Sequence, residues 1–338
     1  MSAWPSTPAE QLTRLFRGFW VSRAIYVAAE LGIADHLAGG SLTAAQLAPA
    51  VGADAVSLHR LLRLLASEGV FAESESGRFE LTPMAEMLRR DVGGPLRLQV
   101  LFLGRDATWQ ATGGLLHAVR TGGTAFDQVH GVDFFGYNRR HPADADLFDQ
   151  LMAAQTAPAG RAVAKVYDFS QFQSITDVAG GRGALAIEIL NAHTHLRGVV
   201  FDQPEVVESA RTAIAAAGLT ARCQAVGGDM FADVPAGTDV HLLKYVLHDW
   251  DDERCVAILR ACRRALPANG RLLVVEQVLP SGNAPSFAKT QDVNMLVNFG
   301  GRERTLVEYQ ALFEAAGFRV SNTIPVLAEL HTIEGTPV

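Results

Sequence analysis

The residues most able to do chemistry in this chain lie between positions 174 and 250. The apolar run Ser174-Ile175-Thr176-Asp177-Val178 contains an acid near its end and passes at once into Ala179-Gly180-Gly181-Arg182-Gly183. Ala184-Leu185-Ala186-Ile187-Glu188-Ile189-Leu190 then reads as a helix. Strand, glycine turn and helix in this order bring main chain close to a nucleotide-like ligand in an open α/β sheet. Glycine suits such a turn because a Cβ blocks the ligand and because positive φ is open to it. Gly181 to Ala186 fits G-x-G-x-x-A, and Asp202 ends the next apolar run, where a ribose-binding acid is expected. On these residues alone, a nicotinamide dinucleotide enzyme stays open.

Three features favour a different nucleotide-containing ligand. Asp177, just before the glycines, suits a cationic ligand or an amino group and is poorly placed beside a pyrophosphate. Gly227-Gly228-Asp229-Met230 offers one acceptor beside an apolar face, which suits an adenine edge. The run Val240 to Leu247 delivers His248-Asp249-Trp250 at its C-terminal end, the side of the sheet where open α/β sites form.

The elements that must position these residues alternate. Strands are predicted at 174–179, 197–202, 223–228, 239–246, 271–279 and 318–326, with a last one near 328–335 and helices between most of them. That pattern predicts a doubly wound, Rossmann-like α/β sheet over residues 171–338. Asp251, Asp252 and Glu253 open a helix to Ala265, with Arg263 and Arg264 at its far end, as the helix dipole favours.

Residues 1–100 read as mostly helical. Gln11 to Leu37 carries apolar residues at helical spacing, and Thr43 with Gln46 has capping-box spacing. A helix from Val56 to Ser67 follows, then β-like runs at 70–73 and 78–81. Helix, turn, helix and two-stranded wing make a winged-helix-like domain. Its second helix lacks a basic stripe, so packing or dimerisation is the expected role and DNA reading the rival. Residues 101–170 form a helical linker region rich in aromatics, including Phe126, Phe134, Phe135, Tyr137 and Phe148, some able to wall a substrate pocket.

The chain has 338 residues, is 49% hydrophobic and 19% charged, and carries a formal charge of -7. That is room for two domains, with a balance that disfavours bulk binding to nucleic acid or anionic membrane. Three cysteines with no CxxC pair, a polar start and no apolar run of bilayer length lead to the expectation of a reduced, cytoplasmic protein. There is no HExxH motif, and no metal is expected.

The motifs Asp177-Val178-x-Gly180-Gly181-x-Gly183, Asp202, Gly228-Asp229-Met230 and Leu247-His248-Asp249-Trp250 occur in order. Val275-Glu276 and Gly300-Gly301-Arg302-Glu303-Arg304-Thr305 follow. As a set they resemble the plant-type, metal-independent small-molecule O-methyltransferase family, in its bacterial natural-product branch. The resemblance covers nearly the whole chain and implies a homodimer through the N-terminal domain. It implies S-adenosylmethionine as cofactor. Gly180, Gly181 and Gly183 then approach the methionine portion, Asp202 the ribose, and Asp229 and Met230 the adenine. Lys244 then lies nearby. Trp250, at the strand end, is expected to wall the cofactor pocket, with simple packing as the rival. Ala179 departs from the family, which usually has glycine there, and a slight shift of the turn with retained binding is expected.

The same resemblance implies His248 as general base, flanked by Glu276 and Glu303. Asn294, Met295 and Asn298, in a helix-like run, face the substrate. That substrate is expected to be a hydroxyl-bearing aromatic secondary metabolite of polyketide or phenazine type. Alternatives are diverged chemistry on the same cofactor, hydroxylation or decarboxylation, and a winged-helix ligand-sensing regulator.

Overall fold

The computed structural model describes residues 7–338. It divides into two units, one ending at Trp109 and one running from Gln110 to Val338.

In the first unit, a capping box between Thr7 and Glu10 starts a helix over Pro8–Glu30. The single helix expected from Gln11 to Leu37 is broken: Gly32 takes a left-handed φ of 65°, and a second helix covers Ile33–Leu37. The Thr43–Gln46 capping box forms and starts Ala44–Val51. Ala55–Ser67 follows, burying Leu58, Leu62 and Leu65. Strands Phe71–Glu73 and Arg78–Leu81 make the wing, and Leu42–Thr43 adds a short third strand beside Arg78 and Phe79. The longest helix of the unit leaves a row of large apolar side chains in solvent: Leu12, Leu15, Phe16 and Trp20 are all more than half exposed.

The second unit carries a seven-stranded sheet. Its strands are β1 (Ser174–Val178), β2 (Arg197–Asp202), β3 (Cys223–Gly227), β4 (Val240–Lys244), β5 (Arg271–Gln277), β6 (Phe318–Leu327) and β7 (Leu330–Pro337). Their spatial order is β3-β2-β1-β4-β5-β7-β6. The first five strands run parallel, and β7 inserts antiparallel between β5 and β6. The order reverses at β1, so the C-terminal ends of β1 and β4 flank a topological switch point.

Helices cover both faces, as alternation along the strands requires. We label them α1 (Pro142–Val166), α2 (Ala184–Ala192), α3 (Val207–Ala216), α4 (Asp252–Ala265), α5 (Phe287–Asn298) and α6 (Leu306–Ala315). Leu242 and Leu273 pack on one face with Val163, Leu185 and Ile189. Leu243 and Val274 pack on the other with Ile258, Leu259 and Phe313. Each such side chain contributes about 1.5–3 kcal/mol by leaving water. These two apolar layers fix the strand ends, which lets the ends carry groups that are unfavourable to bury. Among the described residues no helix is long and apolar enough to cross a membrane.

Candidate functional site

The glycine turn joins β1 to α2. Gly181 and Gly183 both take left-handed φ, 57° and 80°, and a Cβ at Gly181 would point into open space. Ala179 shares this conformation, with φ 54°, where a Cβ is unfavourable. The Gly181 N–H donates to Asp202 Oδ2 at 2.7 Å, and Gln203 N–H donates to Oδ1 at 2.7 Å. Burial raises the Asp202 carboxyl above its ordinary range, and these two donors pull against that rise. Asp177 lies under the turn rather than open to a ligand: it is 2% exposed, and its Oδ2 accepts from Ala186 N–H at 3.2 Å. Burial pushes its carboxyl up to about 7.

Past the end of β3, Asp229 is exposed and Met230 half-buried. Asp229 Oδ1 accepts from Phe231 N–H, which orients the carboxylate. At the end of β4, Lys244 is buried; its Nζ donates to Thr156 of α1 at 3.0 Å and sits 3.4 Å from the Tyr245 ring centroid. Burial lowers the Lys244 ammonium to about 7, against the pull of Glu276 and Asp177. Trp250 packs edge-on to Phe231 and stacks with Phe135 at 6.0 Å.

The histidine sits in a single buried 3-10 turn, Leu247–Asp249. Tyr245, with φ 54°, ends β4 and turns the chain, so the expected strand stops two residues short. Glu276 Oε1 accepts from the N–H groups of Val246 and Leu247, both at 2.9 Å, capping the turn. His248 Nδ1 lies 2.9 Å from Glu303 Oε1 and 3.5 Å from Glu276 Oε2. Its Nε2 lies 3.6 Å from Asp249 Oδ1, too long for a hydrogen bond. The Tyr245 ring stacks on the imidazole at 5.2 Å.

Burial disfavours an imidazolium here, but Glu276, Asp249 and Glu303 outweigh it and raise His248 to about 10. Burial likewise raises Asp249 to about 7 and Glu276 in the same direction, with His248 pulling both down. The ligand atoms of His248, Glu276 and Glu303 lie within 4.8 Å of one another, close enough to hold a cation as well as a proton. One oxygen each of Glu276 and Glu303 is buried without a hydrogen-bond partner.

Asp292 fixes Glu303 by accepting its N–H at 2.9 Å. On α5, Asn298 donates to Asn294 Oδ1 at 2.9 Å, while Asn298 Oδ1 is buried with no partner. Met295 is buried between them and Asn294 is half-buried. Phe299, just after α5, packs with Phe134, Phe135 and Phe148.

The structure thus brings His248, Glu276 and Glu303 together. It gathers Asp202 and the glycines at the switch point, gives Asp177 a helix N–H as partner, and pairs Asn294 with Asn298. Asp249, Tyr245 and Thr156 belong to the same surroundings and were not singled out from sequence. Asp249 carried a signal, its place beside His248; Thr156 carried none, lying 88 residues from Lys244.

A family model described as an O-methyltransferase domain matches residues 113–319, and one described as an O-methyltransferase dimerisation domain matches residues 13–91. A phenazine O-methyltransferase of Lysobacter antibioticus is 43% identical over 97% of this chain and 96% of its own. A phenazine-1-carboxylate N-methyltransferase of Pseudomonas aeruginosa is 33% identical over 96% of each. An O-methyltransferase of neocarzinostatin biosynthesis, solved with S-adenosylmethionine and 2-hydroxy-5-methyl naphthoic acid, superposes with a TM-score of 0.84 at 36% identity, covering 94% of this chain and 96% of that one.

Proposed function

The chain belongs to the O-methyltransferase family, an S-adenosylmethionine-dependent enzyme, and from that premise we propose that it methylates a hydroxyl of an aromatic natural product with His248 as base. The observation that carries this reading is the grip on the imidazole. Glu303 holds Nδ1 at 2.9 Å, which leaves Nε2 as the nitrogen free to take a proton. Methyl transfer to a ring nitrogen with a lone pair needs no proton removed, so a buried, oriented base favours oxygen over nitrogen.

The residues fit the cofactor. Space is open at Gly181, two N–H groups orient Asp202, and Asp229 keeps an exposed carboxylate beside Met230. S-adenosylmethionine, when bound, supplies a methyl carbon activated by a positive sulfur. The main chain of Gly180, Gly181 and Gly183 would approach its methionine part. Asp202 would hold the ribose, and Asp229 and Met230 would receive the adenine. Trp250 would wall the pocket. Lys244 and Asp177, buried behind the turn, support it.

The carboxylates around His248 raise the basicity of its imidazole. A phenol ionises near ~10, and the three carboxylates bring His248 to about 10. The carboxylates stabilise the imidazolium that forms when the phenol gives up its proton. The unpartnered Asn298 Oδ1 offers an acceptor to a second substrate hydroxyl, with Asn294 and Met295 beside it. Phe135, Phe148 and Phe299 supply aromatic surface for a planar ring system. The exposed apolar row on Pro8–Glu30 is the face that a homodimer covers.

The test is a panel of phenols and aromatic amines incubated with S-adenosylmethionine. The expected product gains one methyl group on oxygen. Methylation of nitrogen alone, or addition of oxygen, sinks the reading.

A further inference from the structure

We propose that Arg304 is a positioning residue for the reaction above: it fixes the main chain on both sides of His248 and so aims Nε2. The proposal rests on His248 being the base.

A one-turn helix buried in protein leaves N–H groups at one end and carbonyls at the other, and both need partners. Glu276 serves the N–H end, through Val246 and Leu247. Arg304 reaches carbonyls at both ends of the turn, of which Leu247 O also accepts from Trp250 N–H at 3.3 Å and from Cys255 Sγ at 3.1 Å. Its Nη1 donates to Leu247 O at 2.8 Å, and its Nη2 donates to Trp250 O at 2.8 Å. These two carbonyls bracket His248 and Asp249. The remaining donors are used as well: Nε and Nη2 reach Asp252 Oδ1 at 3.1 and 2.8 Å, and Nη1 also meets Arg302 O at 3.3 Å. The side chain is fully buried, the largest such side chain in the described core.

Burying a guanidinium is expensive, and an apolar side chain of similar size often serves stability as well. What an apolar side chain lacks is a planar fork that spans two carbonyls and a carboxylate. The neighbouring residues point the same way. Glu303 takes the His248 ring while Arg304 takes its main chain, so consecutive residues hold the two parts of one histidine. Gly301 packs so closely on this turn that a Cβ there would overlap the carbonyl of His248. The 301–304 segment is itself anchored, since Arg304 bridges Val278 beyond β5 and its carbonyl accepts from Leu279 N–H at 2.9 Å.

The experiment compares Arg304→Met and Arg304→Lys with wild type. Isotope-labelled histidine reports the His248 Nδ1–H proton by NMR, assigned by its loss in His248→Asn. For Arg304→Met we expect that resonance to move or vanish and kcat to fall about 100-fold, as for an angstrom-scale misplacement. The KM for S-adenosylmethionine and the affinity for S-adenosylhomocysteine should stay within about twofold, on the same misplacement argument. Arg304→Lys, which keeps the charge without the fork, should recover only part of kcat. A folded Arg304→Met with an unmoved His248 resonance and an unchanged pH profile overturns the proposal. So does full recovery by Arg304→Lys, which also decides the matter if the methionine variant fails to fold. If wild type methylates no phenol, the reading of function fails while the NMR comparison still tests the positioning.

Discussion

The two halves of the site are built differently. The proposed donor half, around Gly181 and Asp202, is made of main chain and three hydrogen bonds within positions 177–203. The proposed base half, around His248, is made of charged side chains drawn from 246–252, 276, 292 and 303–304. The first needs conformational freedom, and the second needs electrostatic balance. A local turn tolerates small changes, because each N–H is re-satisfied nearby. A cluster of one imidazole and three carboxylates does not, because removing any member shifts the ionisation of the others.

Substitutions should therefore separate the two halves, beginning with His248. His248→Asn is expected to lower kcat by ~10²–10⁴, the usual contribution of a positioned base. Binding of S-adenosylhomocysteine by calorimetry should be unchanged; loss of binding would mean that the halves are not independent.

The pH profile tests the charge balance next. With His248 raised to about 10, its neutral form grows as pH rises, so kcat/KM should climb with pH and level off near that value. Glu276→Gln removes the leading favourable carboxylate and should move the inflection down by ~1–3 pH units. An inflection unmoved by that change would assign it to another group.

On the donor side, Asp202→Asn should weaken cofactor binding about 10- to 100-fold, the range for hydrogen bonds to a charged group. With saturating cofactor, kcat should be nearly preserved. A large fall in kcat at saturation would show that the turn also sets the methyl position.

Asp177 gives a stability test with a definite sign. Its folded value is about 7, above the ordinary ~3.9. The proton it retains thus contributes stability that is full below ~3.9 and is lost as pH rises through about 7. Asp177→Asn keeps an oxygen for Ala186 N–H and cannot ionise. Its melting temperature should gain on wild type as pH rises from ~4 to about 7, in the direction that linkage requires. Parallel melting curves of Tm against pH would remove the argument.

The smallest expected effect is at Ala179, the alanine in left-handed conformation. Ala179→Gly relieves a strain of roughly 1–2 kcal/mol and loses part of that gain to unfolded-chain entropy, for a net gain under about 1 kcal/mol. Denaturant unfolding measures it, and a loss of stability would show that the methyl group packs usefully.

Much of the fold was readable because its signals are local. The predicted strands 174–179, 197–202 and 271–279 lie within two residues of β1, β2 and β5. The expectation that acids open the helix before Ala265 matches α4, where Asp251 accepts from Arg254 N–H. Misses came where a backbone angle decided. Gly32 split one predicted helix, and Tyr245 at φ 54° ended β4 early. Periodicity records which face is apolar and does not record a single dihedral. In the site, Asp177 looked ligand-facing because it precedes the glycines, yet its position on the strand turns it under them, to Ala186.

The sequence alone determined the kind of protein: the order of elements, the glycine turn, and the acids and histidine at strand ends. Those follow from periodicity and from residue types with few alternative uses. Only the tertiary structure decided the surroundings of His248. Glu276, Glu303 and Arg304 meet the 247–250 turn across gaps of 29 to 57 residues. No spacing rule covers such distances, because the packing of two apolar layers sets them. That packing determines which charges share a buried volume, and so raises the proton affinity of the imidazole.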